Sequence, residues 1–233
     1  MWPTGGWSSP EAQAHNSARD LHALESQRNI AWHCIKDETG TILAVGKWRL
    51  EDEGTYDEPE AKDEEPAPGF RQEVGAKFFG MIHGARKETM GRRTYWHLVI
   101  LTTDPEHERK GAGRLLLRWG CERADKEGLD CFLDATEAGK PLYERFGFVV
   151  QKVNELELGQ FGCQGVARTW SMIRRPRTGV LMGFGEGKGR EGEVDDRGIG
   201  ALGEGRRGVV GFWMAWCRRI VCCVMIDIVY PWP

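Results

Sequence analysis

Residues 103–129 read TDPEHERKGAGRLLLRWGCERADKEGL, a turn-forming opening, glycines at 111 and 113, and then a run with helical periodicity. Leu115, Leu116, Trp119 and Ala124 recur at helical spacing along one face, while Arg114, Arg118, Glu122 and Lys126 fall largely elsewhere. Gly128 suits the left-handed residue that ends a helix. Just upstream, residues 95–102 (YWHLVILT) are dense in aromatic and β-branched side chains and too short for an independent helix, which predicts a buried strand. Downstream, 129–135 predicts a second strand, 140–146 a short helix stopping at Gly147, and 148–153 a third strand. After a loop at 159–165, residues 169–173 are suited to return as its hairpin partner. Strand, glycine loop, helix and strand in that order make a parallel crossover, so the fold class is α/β (α+β). Ligand chemistry in such a unit belongs at the first junction of strand and helix.

Toward the N-terminus, 30–36 and 41–50 are β-prone runs flanking Asp37-Glu38-Thr39-Gly40, which predicts an antiparallel hairpin. Residues 51–68 (EDEGTYDEPEAKDEEPAP) hold nine carboxylates, one Lys and three Pro, and predict a solvated acidic insert rather than a domain boundary. Residues 70–90, with Phe78, Phe79, Met81 and Ile82 among polar neighbours, predict a helix ending at Gly91. Ser9, Pro10 and Glu11 form a helix start within 1–29. Residues 176–233 open as a mixture of glycine and charge, which predicts disorder. They close with an apolar run at 209–230 whose Arg218, Arg219 and Asp227 disfavour a membrane span. Three parts result: a partial helical segment at 1–29, a folded domain at 30–175 and a tail at 176–233.

The 233 residues carry 32 Lys and Arg against 35 Asp and Glu, a net charge of −3, which excludes a polycation built to neutralise nucleic acid. Residues 1–20 contain no basic opening and apolar run of a secretory signal, so a cytoplasmic or nuclear protein is expected. The seven cysteines show no C-x-x-C pair and no His partner at zinc spacing, so reduced, structural thiols and no metal are expected.

Small residues at the start of a helix let backbone N–H groups approach a phosphate, and the helix terminus adds about half a positive charge. On spacing alone, the same glycines serve equally as a tight turn that packs helix on sheet. Taken together with FLDATEAGKPLYERFGF at 132–148, however, residues 103–129 resemble the coenzyme A binding core of the GNAT superfamily of N-acetyltransferases, especially its fungal GNAT-domain members. The shared pattern is Q/R-x-x-G-x-G/A after a strand, then a helix, a strand, and an L-Y-E-x-x-G-F helix. The resemblance is clear over 95–150 and looser over 30–175, where AVGKW and TWSMIRRP resemble the early hairpin and final strand.

The resemblance implies a mixed, mostly antiparallel sheet with helices on both faces. It also implies acetyl-CoA as cosubstrate and direct transfer of its acetyl group to a primary amine in a ternary complex. It places the pyrophosphate against Glu108, Arg109, Lys110, Gly111, Ala112, Gly113 and Arg114. Leu101, Thr102 and Thr103 match the bulged strand segment whose backbone bonds the pantetheine arm and polarises the thioester carbonyl. Tyr143 matches the tyrosine that protonates the departing thiolate, and a phenol with a pKa of about 10 is a suitable donor at neutral pH. His97 is the candidate base, in the place where the histone acetyltransferase branch carries its glutamate; an imidazole with a pKa of about 6.5 suits that task. A hydrogen-bonded core histidine is the plainer role for that position. Asp134 and Glu137 are lesser candidates, for orienting the amine.

Two departures stand out. Glu108 occupies the Q/R position, where a carboxylate repels a diphosphate unless it turns to solvent. One helix, rather than a strand and two helices, precedes the hairpin, which leaves an acceptor-side wall reduced. They set the second reading, a non-catalytic coenzyme A binding or interaction domain. The acceptor classes in view are a small polyamine, an amino sugar, an amino acid and a protein lysine. If the acidic insert is only solvated, deleting residues 53–66 leaves the Michaelis constant for cationic acceptors unchanged; a severalfold rise in steady-state assays would give the insert a steering role.

Overall fold

The computed structural model describes residues 29–53, 71–177 and 199–201, together with Ala14, His15 and Ala18, which are helical. Most of 1–29, most of the acidic insert and nearly all of the tail, including the apolar run at 209–230, lie outside the described residues.

The hairpin forms where its two apolar runs predict it, as β1 (Ile30–Lys36) and β2 (Ile42–Glu51). The Asp37 carboxylate closes the turn by accepting from the backbone N–H groups of Thr39 and Thr41. Helix α1 (Gln72–Met90) follows and ends at Gly91, whose φ of +58° lies in the left-handed region. Then come β3 (Tyr95–Thr103), α2 (Ala112–Glu127), β4 (Asp130–Ala135), α3 (Lys140–Arg145), β5 (Val149–Glu157) and β6 (Val166–Arg174). A short β7 (Ile199–Ala201) completes the sheet, in the order β5-β6-β4-β3-β2-β1-β7. Every neighbouring pair is antiparallel except β3 with β4.

Alternation along β3 assigns its two faces. Trp96 and Leu98 join Leu117, Cys121 and Ala124 of α2 in the main core, together with Trp48, Leu133 and Met172. Tyr95 packs instead with Met90 at the end of α1 and with Phe132 and Ile173. Helices α2 and α1 therefore cover opposite faces of one sheet. The approach of α2 is unusually close: a Cβ on Gly120 would stand 2.1 Å from the fully buried Trp48 indole. At the other end of α2, the buried Arg174 donates two hydrogen bonds to Asp125, at 2.8 and 2.7 Å, and one to the Phe146 carbonyl. That fork ties the helix end, the last long strand and the end of α3 together.

Four expectations need correction. The buried stripe of α2 is Ala112, Leu116, Leu117, Gly120, Cys121 and Ala124, while Leu115 and Trp119 are half-buried. Trp119 sits at the rim, its ring 3.7 Å from that of His33 on β1. Strand β5 runs on to Glu157 because its pairing with β6 continues to Val166. Glu51, expected in the solvated insert, is the last residue of β2 and is buried. The glycine and charge tail predicts no strand, yet Ile199–Ala201 pairs with His33, Cys34 and Ile35 along the β1 edge.

Because Trp48 has no room to retreat, Gly120→Ala is expected to destabilise the protein by about 3 kcal/mol through overpacking. Denaturant unfolding checks this, and a change below about 1 kcal/mol would show that the helix lifts off the sheet freely.

Candidate active site

Strands β3 and β4 begin as a parallel pair and then part. Their register holds at Tyr95 with Asp130, Trp96 with Cys131 and His97 with Phe132, and goes no further. Beyond that point β3 keeps only β2, and β4 keeps only β6, whose pairing continues to Ala135 with Trp170. A bulge falls at the same level: Lys47 pairs with Ile100 and Trp48 with Leu98, so Val99 has no partner on β2 and is more exposed than its neighbours. A bulge residue turns its peptide groups out of the ladder, here beside the opening between the two strands. The bulge therefore lies two residues before Leu101, Thr102 and Thr103, which occupy the separated part of β3 and are half-buried.

The loop beyond β3 is built to stop and turn. Asp104 caps the 3-10 turn at Pro105–His107, its side chain accepting from the Glu106 N–H at 2.9 Å. Arg109 and Gly111 then take left-handed conformations, with φ of +58° and +94°. The Leu115 N–H closes onto the Gly111 carbonyl at 3.1 Å, so the N–H groups at the very start of α2 have no carbonyl of their own helix to bind. Left-handed residues just ahead of a helix start gather N–H groups into an anion-binding concavity. Nothing stands within 4 Å of a Cβ placed on Gly111, whereas one on Gly113 would press to 3.1 Å from the Thr103 hydroxyl oxygen. The open side of the loop therefore fits a phosphate group, and the closed side packs on β3. Glu108, Arg109, Lys110 and Arg114 are all exposed, so the Glu108 carboxylate stays in water, and three cations share the loop and the first turn of α2 with it.

On the α1 face, at the level where the strands part, His97 lies in a buried polar cluster. Its Nδ1 is 3.0 Å from Oε1 of Glu51, and the same oxygen accepts from Arg49 and from Arg86 of α1, each at 2.7 Å. Burial works against the Glu51 charge, but the His97 hydrogen bond and the two guanidinium groups outweigh it and hold the carboxyl down at about 2. Burial lowers His97 to about 4, against the upward pull of Glu51. Asp134, on β4 just past the last paired residue, accepts from the Ser171 hydroxyl at 2.6 Å, and Ser171 in turn accepts from Asn154 at 2.9 Å. Burial raises Asp134 to about 6 in spite of Ser171 and Arg86.

Tyr143 sits on the other side of the opening, in α3. Its ring lies over Gly139, where an added Cβ would come within 2.9 Å, and meets Phe148 edge-on at 6.0 Å. Burial raises its phenol to about 12, so it is protonated at neutral pH. Glu137 is exposed in the turn after β4.

Glu51 and Arg86 are the groups that the sequence reading misses. Each nevertheless leaves a trace: Lys47, Arg49 and Glu51 alternate with inward-facing residues along β2, and Arg86 follows Phe78 and Ile82 at four-residue intervals on the apolar side of α1.

A model of the Acetyltransferase (GNAT) family matches residues 11–148, and the chain belongs to that family. Among solved structures, an agmatine N-acetyltransferase superposes with a TM-score of 0.53 at 15% identity, over 75% of this chain and 88% of the other. Arylalkylamine N-acetyltransferase 2 from Aedes aegypti gives 0.51 at 14% identity, over 73% and 88%. At such identities the likeness is one of fold.

Gly111→Asp places a carboxylate and a strained side chain in the cradle, and is expected to weaken acetyl-CoA binding at least a hundredfold in calorimetric titration. Glu108→Gln, at an exposed site, is expected to tighten it no more than about threefold. An unchanged dissociation constant in the Gly111 variant would remove the phosphate from this loop.

Proposed function

We propose that the protein is an acetyl-CoA dependent N-acetyltransferase that acetylates a small primary amine by direct attack in a ternary complex. The observation that carries this reading is the parting of β3 from β4 beyond His97, with an open anion cradle on the helix that follows β3. When bound, acetyl-CoA supplies an acetyl group already activated as a thioester. The residues from Arg109 to Arg114 hold the pyrophosphate, and the separated backbone of Leu101, Thr102 and Thr103 lines the path of the pantetheine arm. Peptide N–H groups released at the Val99 bulge polarise the thioester carbonyl.

On the α1 face, Asp134 receives the acceptor amine as an ammonium ion and orients it. An ammonium nitrogen has no lone pair, so one proton first passes to water. The neutral amine then attacks the thioester carbon, and His97, too weak a base to strip a free ammonium at neutral pH, takes the second proton as the carbon–nitrogen bond forms and the nitrogen becomes acidic. The carbon–sulfur bond breaks, and the Tyr143 hydroxyl gives its proton to the sulfur. Amide and free thiol leave, and proton exchange with water restores His97 and Tyr143. The names of the neighbours, which act on agmatine and on arylalkylamines, support these amines as the first acceptors to assay.

Release of free thiol from acetyl-CoA is expected with at least one member of a panel of agmatine, spermidine, tryptamine, glucosamine and a lysine peptide. No release by a protein that binds acetyl-CoA would overturn the transferase reading. Asp134 must be ionised and His97 neutral to act, so kcat/KM falls as pH drops through about 6, where Asp134 protonates, and again through about 4, where His97 does. His97→Gln is expected to lose the lower limb and about a hundredfold in kcat. An unchanged profile would remove His97 from the reaction.

A further inference from the structure

The polar cluster behind His97 has a feature that the reaction itself does not require. Three donors converge on one oxygen: Arg49, Arg86 and the His97 ring all reach Oε1 of Glu51, which is 5% exposed. Arg86 Nη1 is also 3.2 Å from His97 Nδ1. Two protonation patterns compete at that nitrogen. If Nδ1 carried no proton, it would accept from Arg86, but its lone pair would also face a carboxylate oxygen 3.0 Å away, two electron-rich atoms in contact at a buried site. If Nδ1 carries the proton, it donates to the carboxylate, Arg86 donates to the same carboxylate, and no lone pair is opposed. The second pattern keeps the shorter, charge-assisted contact to Glu51 and gives up the longer one to Arg86. It leaves the other ring nitrogen, Nε2, as the acceptor, and among the described residues Nε2 makes no hydrogen bond.

We infer that Glu51 and Arg86 are positioning residues that fix His97 as the Nδ1–H tautomer, with its Nε2 lone pair turned to the acceptor amine. This rests on the assignment of His97 as the base. The charged and titratable groups around the imidazole are Arg49 and Glu51 from β2, Arg86 from α1, Tyr95 from β3 and Asp134 from β4. Of these, only Glu51 is both an acceptor and within hydrogen-bond reach of the ring. The cluster also spans three elements, so the fold itself sets the ring's orientation. Arg86 brings α1 into the catalytic apparatus, because it holds the carboxylate that holds the base.

Nitrogen-15 NMR of the histidine-labelled full chain, with acetyl-CoA added as the only ligand, reads the tautomer directly. His97 is expected as Nδ1–H at pH 7; a predominantly Nε2–H ring would overturn the inference whatever the kinetics. Glu51→Gln keeps an acceptor without charge, and Glu51→Met keeps only bulk. With the panel amine that turns over fastest, the Met variant is expected to lose ten- to a hundredfold in kcat with KM for acetyl-CoA within twofold, and to show the Nε2–H form. The Gln variant is expected to retain the Nδ1–H form and to move the lower acid limb of kcat/KM to lower pH. Variants whose tautomer, kcat and acid limb all match the parent would overturn the inference. Should either variant fail to fold, the parent spectrum decides alone. A parent ring in the Nδ1–H form, together with an unchanged pH profile in His97→Gln, would instead sink the base assignment and leave the geometry standing.

Discussion

The contact between Trp48 and Gly120 governs how the rest of the molecule is arranged. A fully buried indole on β2 meets a helix residue without a side chain, so the α2 backbone comes down onto the sheet until the ring itself stops it. The indole N–H points at the Leu116 carbonyl, one turn back along the same helix. With α2 seated at that height, its first turn meets the end of β3 at Thr103 and Gly113, and its last turn is held by the Arg174 fork. The place of the proposed anion cradle is thus a consequence of packing two turns away. Its N–H groups point where the helix axis directs them, and the axis is set by a tryptophan.

The two faces of the sheet do different work. The α2 face is mainly apolar, dominated by Trp48, Trp96, Leu117, Phe148 and Met172, with the Arg174 and Asp125 pair at one end of the helix. The α1 face carries the buried charge, with Glu51, Arg86, His97 and Asp134 gathered where β3 and β4 separate. Buried charge is costly unless every partner is present, and Glu51 shows the compensation plainly: three donors offset the loss of water. Among the described residues Asp134 accepts one hydrogen bond, from Ser171, with Arg86 helping from farther off, and the cost of burial appears as a raised carboxyl. The more heavily partnered carboxylate suits a fixed structural charge, the sparsely partnered one a group that meets an incoming cation.

Much of this was legible from residues close in sequence. Gly111 and Gly113 between a β-branched run and an amphipathic segment announce the strand, turn and helix found there, and the L-Y-E-x-x-G-F segment announces the short helix that carries Tyr143, because each depends on local conformation. What stayed hidden depends on register. Glu51 opens a run of carboxylates, so composition assigns it to solvent; only its pairing with Tyr95 on β3 places it beside His97. Val99 is a bulge because two residues of β3 oppose one interval of β2, a count that neither strand reveals alone. The inner stripe of α2 was displaced by one residue for a similar reason: Trp119 lies half-buried between Trp96 and the His33 ring on β1.

The brevity of the β3 and β4 pairing has one more consequence. Among the described residues, three backbone pairs join the β5-β6-β4 half of the sheet to the β3-β2-β1 half, and the cores on the two faces span the same seam. The halves behave as two leaves on a short spine, with α2 laid across the back as the binding. Helix α1 crosses the front, packed on β5 and β6 while its Arg86 reaches Glu51 on β2. The slot between the leaves is therefore framed by a helix on each side as much as by the three pairs at the fold.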